Sequence, residues 1–306
     1  MKKMKIESYK VVDLFAGCGG LTMGFEQSGF NVVAAFDNWE PAIQTYKANF
    51  KHTIIKKDLS DTSDLNDILA YKPDIIIGGP PCQDFSSAGH RNEKLGRADL
   101  TISFSEIIEK VKPKYFVMEN VPRIQKSKIL IDILKKFKDL GYGLTSTVID
   151  ASRCGVPQIR KRFVLIGELN GIDDFLLNQL MSNLTKNQTT LFDYFGDSLG
   201  FEYYFRVPRS YSRRGIFSIY EPSMTIRGVD RPVPKGYTGH SADPIPLDSS
   251  IRTLTFKERS LIQTFPNNFK LEGSKTTLNQ LIGNAVPVKL AQYIAKELKE
   301  YIENKK

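Results

Sequence analysis

The chain has 306 residues, of which 41% are hydrophobic and 25% are charged, a composition typical of a globular protein with one large or two modest domains. No apolar run approaches the ~20 residues of a membrane span, and the first residues lack the apolar core of a signal peptide. Three widely spaced cysteines and three histidines favour neither a disulfide framework nor a zinc site. We therefore expect a cytoplasmic protein with no membrane partner and no bound metal.

Positive charge is in excess and is concentrated in one segment. The formal net charge is +9, and between residues 206 and 235 seven arginine and lysine residues accompany only two acidic residues. Such a segment favours a polyanionic partner such as nucleic acid, with a solvated basic surface as the alternative.

The chain begins with a strand, a glycine-rich turn and a helix. A strand at 10–15 leads into AGCGG at residues 16–20, and a helical pattern follows over 21–28. A second apolar strand at 32–36 ends at Asp37, about the distance past the glycines at which an acidic residue takes ribose hydroxyls. This arrangement predicts a nucleoside cofactor at the N-terminus of the helix. Trp39 either packs on that cofactor or belongs to the core.

The alternation of helices and strands continues after Trp39. A helix is predicted at 41–49, a strand at 52–57 and a further helix at 61–71. Asp58 lies directly after the strand. It either accepts a hydrogen bond from an adenine amino group or caps the segment that follows.

The sequence GGPPCQDFS at residues 78–86 places a cysteine at the end of a buried strand, predicted at 74–77. The glycines and prolines fix Cys82 on a loop at the carboxyl edge of the sheet, where ligands of open α/β sheets bind. A cysteine is often only a small buried hydrophobe. Here the proline pair and the polar neighbours Gln83 and Ser86 indicate a reactive thiol that faces substrate, beside a predicted lid at 87–100.

A polar pair follows the next strand. After a helix at 103–111, the strand at 114–118 ends in Glu119 and Asn120, beside a proline. We expect this carboxyl group to meet the cysteine loop and to hold a proton there.

Three regularly spaced donors come later in the chain. A helix at 129–140 precedes two strands, at 144–150 and 162–166. The alternation of Gln158, Arg160 and Arg162 puts all three on one face of an extended segment. Such a face suits an anionic or carbonyl-bearing substrate.

Beyond about residue 170 the regular α/β pattern stops. We predict a first domain at 1–170, a small irregular domain of strands and loops at 171–251, and a hinge and C-terminal segment at 252–306 that returns to the first domain. The elements predicted after residue 170 are short strands at 217–220 and 224–226, helices at 257–263 and 288–303, and a loop at 283–287.

Taken in order, these motifs resemble those of the DNA (cytosine-5-)-methyltransferases of bacterial restriction-modification systems. The matching segments are DLFAGCGG (13–20), PPCQDFS (80–86), ENV (119–121), QIRKR (158–162), RTLTFKE (252–258) with QTFP (263–266), and GNAVP (283–287). Lys161 and Pro80 are minor departures that remove no functional group. The resemblance implies a Rossmann-like α/β methyltransferase fold with a mainly parallel sheet, and assigns target recognition to the irregular domain.

The resemblance also implies S-adenosyl-L-methionine as the cofactor. Asp37 takes the position of the ribose-binding acid, and Asp58 that of the adenine-binding acid. The implied cofactor-binding residues are Asp13, Phe15, Ala16, Gly17, Gly19, Gly20, Asp37, Asn38, Trp39, Asp58, Leu59, Pro80, Asn284, Ala285 and Val286.

The implied catalytic residues are Cys82, Glu119, Arg160 and Arg162. The thiolate of Cys82 adds to C6 of a flipped-out cytosine, protonated Glu119 faces N3, and the two arginines bind the cytosine carbonyl and a nearby phosphate and favour the thiolate. Substrate contacts are expected from Gln83, Ser86, Asn120, Arg213, Arg214, Thr225, Arg227 and Arg231.

The implied substrate is double-stranded DNA, and we expect a monomer with a cognate restriction endonuclease that acts on the same site. Two alternatives stay open. One is a tRNA cytosine-5 methyltransferase of the same fold, against which the long basic segment weighs. The other is a non-catalytic DNA-binding relative, against which the presence of Cys82, Glu119 and Arg160 weighs.

Overall fold

The computed structural model describes residues 6–81, 100–208 and 213–305. Cys82, Gln83, Ser86 and almost all of the predicted lid lie outside the described residues. The chain divides into two compact units. The first comprises Met1–Ile149, Lys161–Leu184 and Ala291–Lys306, and the second comprises Asp150–Arg160 and Thr185–Leu290.

The strands of the described residues are numbered in chain order. They are β1 (Lys10–Leu14), β2 (Asn31–Asp37), β3 (Thr53–Lys56), β4 (Ile75–Gly78), β5 (Tyr115–Asn120), β6 (Tyr142–Asp150), β7 (Gln158–Ile159), β8 (Lys161–Leu169), β9 (Tyr203–Phe205), β10 (Ile216–Ser218) and β11 (Ser223–Met224).

The α-helices of the described residues are α1 (Gly20–Gln27), α2 (Glu40–Asn49), α3 (Asn66–Leu69), α4 (Leu100–Val111), α5 (Lys128–Asp139), α6 (Leu177–Ser182), α7 (Leu191–Phe195), α8 (Phe256–Ile262), α9 (Lys275–Asn284) and α10 (Val288–Asn304). None of these helices combines the length and the apolar composition that a membrane crossing requires.

A seven-stranded sheet forms the centre of the first unit, in the order β3-β2-β1-β4-β5-β8-β6. Strands β1 to β5 pair in parallel, and β8 pairs antiparallel to β5. The three isoleucines of β4 are fully buried, as expected for a central strand of a sheet covered on both faces. The predicted α/β fold with a mainly parallel sheet is confirmed.

The strand order reverses between β1 and β4. Strands β2 and β3 lie on one side of β1, whereas β4 and β5 lie on the other. Ligands of open α/β sheets bind at the carboxyl ends of the strands at such a switch point. Leu14 pairs with Gly78 at this edge, and a side chain at residue 78 would come within 2.7 Å of the Leu14 carbonyl oxygen. The glycine-rich turn and the cysteine loop therefore start from neighbouring strand ends.

The helix predicted at 61–71 is wrong over most of its length, because α3 covers only Asn66–Leu69. Upstream of it, Asp58, Asp61 and Asp64 each accept a hydrogen bond from the main-chain N–H two residues further on. These turns offer the backbone an alternative to helical hydrogen bonds, which is why the segment does not wind into a helix.

The loop predicted at 283–287 is only partly correct. Its first two residues are the last turn of α9, a helix that the sequence pattern did not predict. Ser274 caps α9 by accepting a hydrogen bond from the Thr277 N–H at 3.2 Å. The helix stops before Pro287, since the residue that precedes a proline is disfavoured in helical conformation.

The second unit contains two small sheets. Strands β9 and β10 pair antiparallel, and β7 and β11 pair in parallel. The strands predicted at 217–220 and 224–226 are present as β10 and β11, each of which begins one residue and ends two residues earlier than predicted. Buried side chains such as Tyr204, Phe217 and Ile226 form the core of this unit.

The compact units divide the chain differently from the predicted domains. The first unit continues to Leu184, and the second includes both 150–160 and 252–290, so that only 291–306 of the C-terminal segment belongs to the first unit. Pattern changes along a sequence mark where regular structure ends. Such changes do not reveal contacts between distant segments. The segment 150–160, for example, contains β7, which pairs with β11 at Ser223–Met224.

Candidate active site

The glycine-rich turn after β1 is fastened to Asp37 at the end of β2. The Gly17 N–H donates to Asp37 Oδ2 at 2.8 Å, and the Trp39 N–H donates to Oδ1 at 2.8 Å. Burial raises the pKa of Asp37. Gly19 has φ 91°, and a side chain there would come within 2.3 Å of the Phe50 ring, so this position requires glycine. The turn thus has one fixed conformation next to a buried carboxyl group.

Asp13 begins a buried chain of hydrogen bonds behind this turn. Thr22 Oγ1 donates to Asp13 Oδ2 at 2.6 Å and lies 2.8 Å from the Tyr46 hydroxyl. That hydroxyl lies 2.5 Å from His52 Nε2, and His52 Nδ1 lies 3.1 Å from Glu26 Oε1. The chain joins β1 to α1 and α2, and thereby holds both sides of the glycine-rich turn.

The free energy of unfolding is expected to fall as the pH rises, because Asp13 is fully buried. Burial raises its pKa from 3.8 to about 7, so the folded protein keeps a proton that the unfolded chain has already released. The stabilisation by this proton is complete below about pH 4 and is lost as the pH rises to about 7. Over this range the free energy of unfolding falls by about 4 kcal/mol. Asp13→Asn should flatten this dependence in urea denaturation between about pH 4 and pH 8. Equal slopes for both proteins would show that Asp13 does not hold the proton.

The other residues predicted to bind cofactor on the first unit differ in exposure. Asn38 is exposed and Trp39 half-buried, whereas the Leu59 side chain belongs to the hydrophobic core. Asp58 is exposed and accepts hydrogen bonds from both the N–H and the hydroxyl of Ser60, which is the capping arrangement weighed for it above. Phe15 and Ala16 lie on the turn, and Gly20 is the first residue of α1. Phe15 adopts a left-handed φ of 57°.

Strands β4, β5 and β8 bring Glu119, Arg162 and the start of the cysteine loop together. A side chain at Gly79 would lie 3.3 Å from Glu119 Oε2. Arg162 Nε lies 2.6 Å from Glu119 Oε1, and the two side chains are only 13% and 10% exposed. No directed hydrogen bond reaches Oε1 among the described residues, so the contact is an ion pair. The edge of the sheet therefore carries a carboxylate and a guanidinium in contact.

Asn120 fixes the cysteine loop from the same strand. Its Nδ2 donates to the Pro80 carbonyl oxygen at 3.2 Å, and its Oδ1 accepts from the Val121 N–H at 2.8 Å. Pro80 is buried and Pro81 is exposed. The loop that leads into Cys82 is thus held on β5, immediately after Glu119.

Gln158 and Arg160 do not present their donors as the alternation predicted. Gln158 Oε1 accepts from the Ile226 N–H at 2.8 Å, and its Nε2 donates to Gln263 Oε1 at 2.7 Å. Arg160 is 2% exposed and donates to the carbonyl oxygens of Ile226, Gly283 and Ala285 at 3.0 to 3.1 Å. Both side chains therefore bind partners within the second unit, to which they themselves belong. Of the three residues, only Arg162 contacts Glu119.

The residues predicted to bind cofactor near the C-terminus also belong to the second unit. Asn284 is exposed at the end of α9, whereas Ala285 and Val286 are buried. Gln263 donates to the carbonyl oxygens of Ile282 and Ala285 at 2.6 and 3.0 Å. The Arg160 guanidinium, which donates to Ile226 O, also donates to the carbonyl oxygens of this segment.

The residues predicted to contact DNA from the second unit fall into two groups. Arg213 and Arg231 are exposed. The others have partners within the unit: Arg214 pairs with Glu221 and stacks over Phe217, the Thr225 hydroxyl donates to Ile159 O at 2.7 Å, and Arg227 donates to Val207 O at 2.9 Å.

Comparison with known proteins decides the family. A family model described as C-5 cytosine-specific DNA methylase matches residues 9–300. The chain belongs to this family. It is a DNA cytosine-5 methyltransferase, and its recognition from sequence motifs is confirmed.

Two curated relatives of this methyltransferase align over nearly their whole length. Type II methyltransferase M.HindV of Haemophilus influenzae is 57% identical over 288 residues, which cover 94% of this chain and 95% of the relative. Type II methyltransferase M.HgiDI of Herpetosiphon aurantiacus is 52% identical over 294 residues, covering 96% and 95%.

Solved structures show the same fold. A mutant DNMT2 from Spodoptera frugiperda has a TM-score of 0.68 at 20% identity, covering 95% of this chain and 99% of that one. Dnmt2 from S. pombe has a TM-score of 0.69 at 17% identity, covering 96% and 98%. At such identities the likeness concerns the fold alone.

The geometry of the methyltransferase turn suits a nucleoside cofactor. Helix α1 begins at Gly20 without a side-chain cap from the described residues, so its N-terminal N–H groups are available to a ligand. No atom of the described residues would lie within 4 Å of a side chain at Gly17, so these residues leave space on that face of the turn. The Asp37 carboxyl group, fixed by two N–H donors at the end of β2, accepts one of these hydrogen bonds from the same turn.

Sequence reasoning missed the residues that hold the site from behind. Thr22, Tyr46 and His52 link Asp13 to the two helices, and Gln263 links Gln158 to α9. Each of these is a common residue in an ordinary helical or strand pattern. Only a long-range contact distinguishes it, and a single sequence carries no signal of that contact.

Proposed function

We propose that this methyltransferase transfers the methyl group of S-adenosyl-L-methionine to C5 of a cytosine flipped out of duplex DNA, through a covalent bond between Cys82 and C6. The observation that carries the proposal is the contact between Glu119 and Arg162 at the strand edge where Gly79 and Pro80 lead into Cys82. A thiol placed beside a carboxyl group and a guanidinium suits nucleophilic attack on a ring that must accept charge.

The cofactor would be held on the first unit by the turn after β1. Asp37 would accept the ribose hydroxyls, since a carboxylate that accepts two N–H groups still has acceptor capacity. Trp39, the only tryptophan, is half-buried next to it and would pack on the adenine. When bound, S-adenosyl-L-methionine supplies an electrophilic methyl group on a sulfonium centre.

Glu119 and Arg162 make the cytosine ring reactive in this proposal. C6 of cytosine is a poor electrophile, so addition of the Cys82 thiolate requires stabilisation of the charge that develops on the ring. Glu119 takes up a proton when the cytosine binds and donates it to N3, and Arg162 binds the cytosine carbonyl while it orients Glu119. Addition forms the S–C6 bond and makes C5 nucleophilic. After methylation the C5 proton passes to water, the S–C6 bond breaks to release the thiolate, and N3 returns its proton to Glu119, which restores the aromatic ring.

Flipping of the target base follows from where these groups lie. They stand at the edge of a buried sheet, and a stacked base inside a duplex cannot reach such a place. The second unit would supply sequence recognition, because it carries the segment with seven positive and two negative residues. The exposed Arg213 and Arg231 are candidates for direct contacts with DNA.

A restriction endonuclease that cleaves the same sequence when it is unmethylated is the proposed partner in the cell. The names of both curated relatives, which describe Type II methyltransferases, support this part of the proposal.

The test is methyl transfer from labelled S-adenosyl-L-methionine to a randomised duplex pool, followed by base-resolution mapping of 5-methylcytosine. We expect label at C5 of one cytosine within one short sequence, and none in transfer RNA under the same conditions. Label in transfer RNA with an unlabelled duplex would overturn the proposal in favour of an RNA substrate. Label spread over all cytosines would overturn sequence recognition.

A further inference from the structure

Behind the glycine-rich turn, four contacts join five side chains into one hydrogen-bonded row. The row runs from Asp13 through Thr22, Tyr46 and His52 to Glu26, and its contacts are between 2.5 and 3.1 Å long. Each contact requires a proton between its two atoms, because two lone pairs at such a distance repel each other. The complete row therefore requires four protons.

The side chains of the row supply only three of these protons when both carboxyl groups are ionised. Thr22 and Tyr46 each carry one hydroxyl proton, and a neutral His52 carries one ring proton. Burial raises the pKa of Tyr46 well above its ordinary value, so this hydroxyl keeps its proton. One additional proton must therefore be held on Asp13, on Glu26 or on the second ring nitrogen of His52.

Asp13 is the member of the row at which a charge is most costly. It is fully buried, Asp37 on β2 repels a second negative charge, and Asp13 Oδ1 has no hydrogen-bond partner among the described residues. A proton on His52 or Glu26 would leave Asp13 ionised in this setting. A protonated Asp13 instead donates to Thr22, and each member then donates to the next, until His52 Nδ1 donates to Glu26.

The same row supports the glycine-rich turn. A side chain at Gly19 would lie 3.1 Å from Tyr46 Cε2 and closer still to the Phe50 ring. The Tyr46 and Phe50 rings pack on each other, with 4.4 Å between their centroids, and Thr22 lies in the first turn of α1. Loss of the additional proton makes one contact of the row repulsive, and the groups that it pushes apart are those on which the turn packs.

We propose that the row stores one proton on Asp13 and thereby keeps the glycine-rich turn in the conformation that binds S-adenosyl-L-methionine. The inference rests on the proposed function, in which this turn holds the cofactor. Tyr46 and His52 are then positioning residues, which act on the cofactor only through the turn. The titratable groups that face the row from neighbouring elements are Asp37 on β2 and Glu26 on α1. Cofactor binding weakens when the stored proton is lost.

The test measures the affinity for S-adenosyl-L-methionine by calorimetry at about pH 6 and about pH 8, in the wild type and in Tyr46→Phe. Because burial raises the pKa of Asp13 to about 7, about one tenth of the wild-type molecules keep the proton at the higher pH. Tyr46→Phe keeps the ring but divides the row, so that Thr22 can donate to an ionised Asp13 without a repulsive contact. Over this pH range the wild type should therefore lose about tenfold more affinity than Tyr46→Phe.

Tyr142→Phe is the matched control. It removes a buried hydroxyl of the same unit, which donates to the Pro113 carbonyl oxygen at 2.7 Å, and it leaves the row intact. Its affinity should fall with pH as that of the wild type does. Ionisation of the cofactor and of Asp37 is common to all three proteins, so the difference between them reports the row alone.

Nuclear magnetic resonance of the wild type locates the proton without any cofactor. We expect a protonated Asp13 carboxyl group at about pH 6 and a neutral His52 ring with its proton on Nδ1. An ionised Asp13 beside a His52 ring protonated on both nitrogens would overturn the placement of the proton. An equal loss of affinity in the wild type and Tyr46→Phe would overturn the positioning role. If the wild type binds no cofactor at either pH, the proposed function fails and the positioning role with it, whereas the resonance measurement still decides where the proton lies.

Discussion

Replacing Cys82 with serine is expected to lower the rate of methyl transfer by more than ~10⁴-fold while duplex binding stays intact. A cysteine is partly ionised near neutral pH, whereas a serine hydroxyl is not, so the variant lacks the nucleophile that must add to C6. The measurement is transfer of labelled methyl groups to the target duplex in single turnover, with a parallel binding titration. Substantial activity in the serine variant would exclude a covalent adduct at this position.

Cys154→Ser provides the matched control for this exchange. Cys154 is half-buried, with its Sγ 3.8 Å from the Asp150 carbonyl oxygen, and we expect its replacement to leave activity within about twofold, as for most substitutions away from a site. Cys18 is a poor candidate for the nucleophile. It is 3% exposed, and burial raises its pKa to about 12.

A second readout separates the adduct from a merely structural role of the thiol. A duplex with 5-fluorocytosine at the target position has fluorine where the C5 proton is normally lost, so the S–C6 bond cannot be broken by elimination. The wild type and Cys154→Ser should both form a complex with this duplex that survives denaturing electrophoresis. Cys82→Ser should form none, even when it binds the duplex fully.

Local patterns predicted the features of the fold that depend on neighbouring residues. The β-branched run before Gly78 and the glycines after Leu14 specify buried strands and the turns that follow, and both strand ends lie at the switch point as expected. The helix predicted at 61–71 failed for a local reason as well. Three aspartates bind main-chain N–H groups two residues ahead, and the periodicity of apolar residues does not reveal that competition.

The sequence could not predict which groups the side chains of the candidate site bind. Alternation predicted that Gln158, Arg160 and Arg162 present their donors on one face, and it did not indicate what each side chain binds. Their acceptors come from residues between 43 and 125 positions away: Glu119 for Arg162, and Ile226 and Ala285 for Arg160. Contacts over such separations depend on the packing of whole units, which a pattern of neighbouring residues does not encode.

Of these three residues, Arg160 is the one whose replacement is expected to lower the free energy of unfolding most. Arg160→Met keeps a side chain of similar length but leaves the carbonyl oxygens of Ile226, Gly283 and Ala285 without their charged donor in a buried environment. Unsatisfied buried polar groups are costly, so we expect the free energy of unfolding to fall by about 3 to 5 kcal/mol. Urea denaturation followed by circular dichroism measures the loss, and hydrogen exchange should place it in the second unit.

Arg153→Met is the control, because the Arg153 Nε donates to one exposed carbonyl, that of Thr185, at 2.7 Å. Its loss should cost no more than about 1 kcal/mol. The comparison decides between two roles for Arg160. A positioning role predicts that Arg160→Met loses stability and recovers part of its methyl transfer at low temperature, where the second unit stays folded. Wild-type stability together with an inactive enzyme at every temperature would instead assign Arg160 to direct contact with the cytosine.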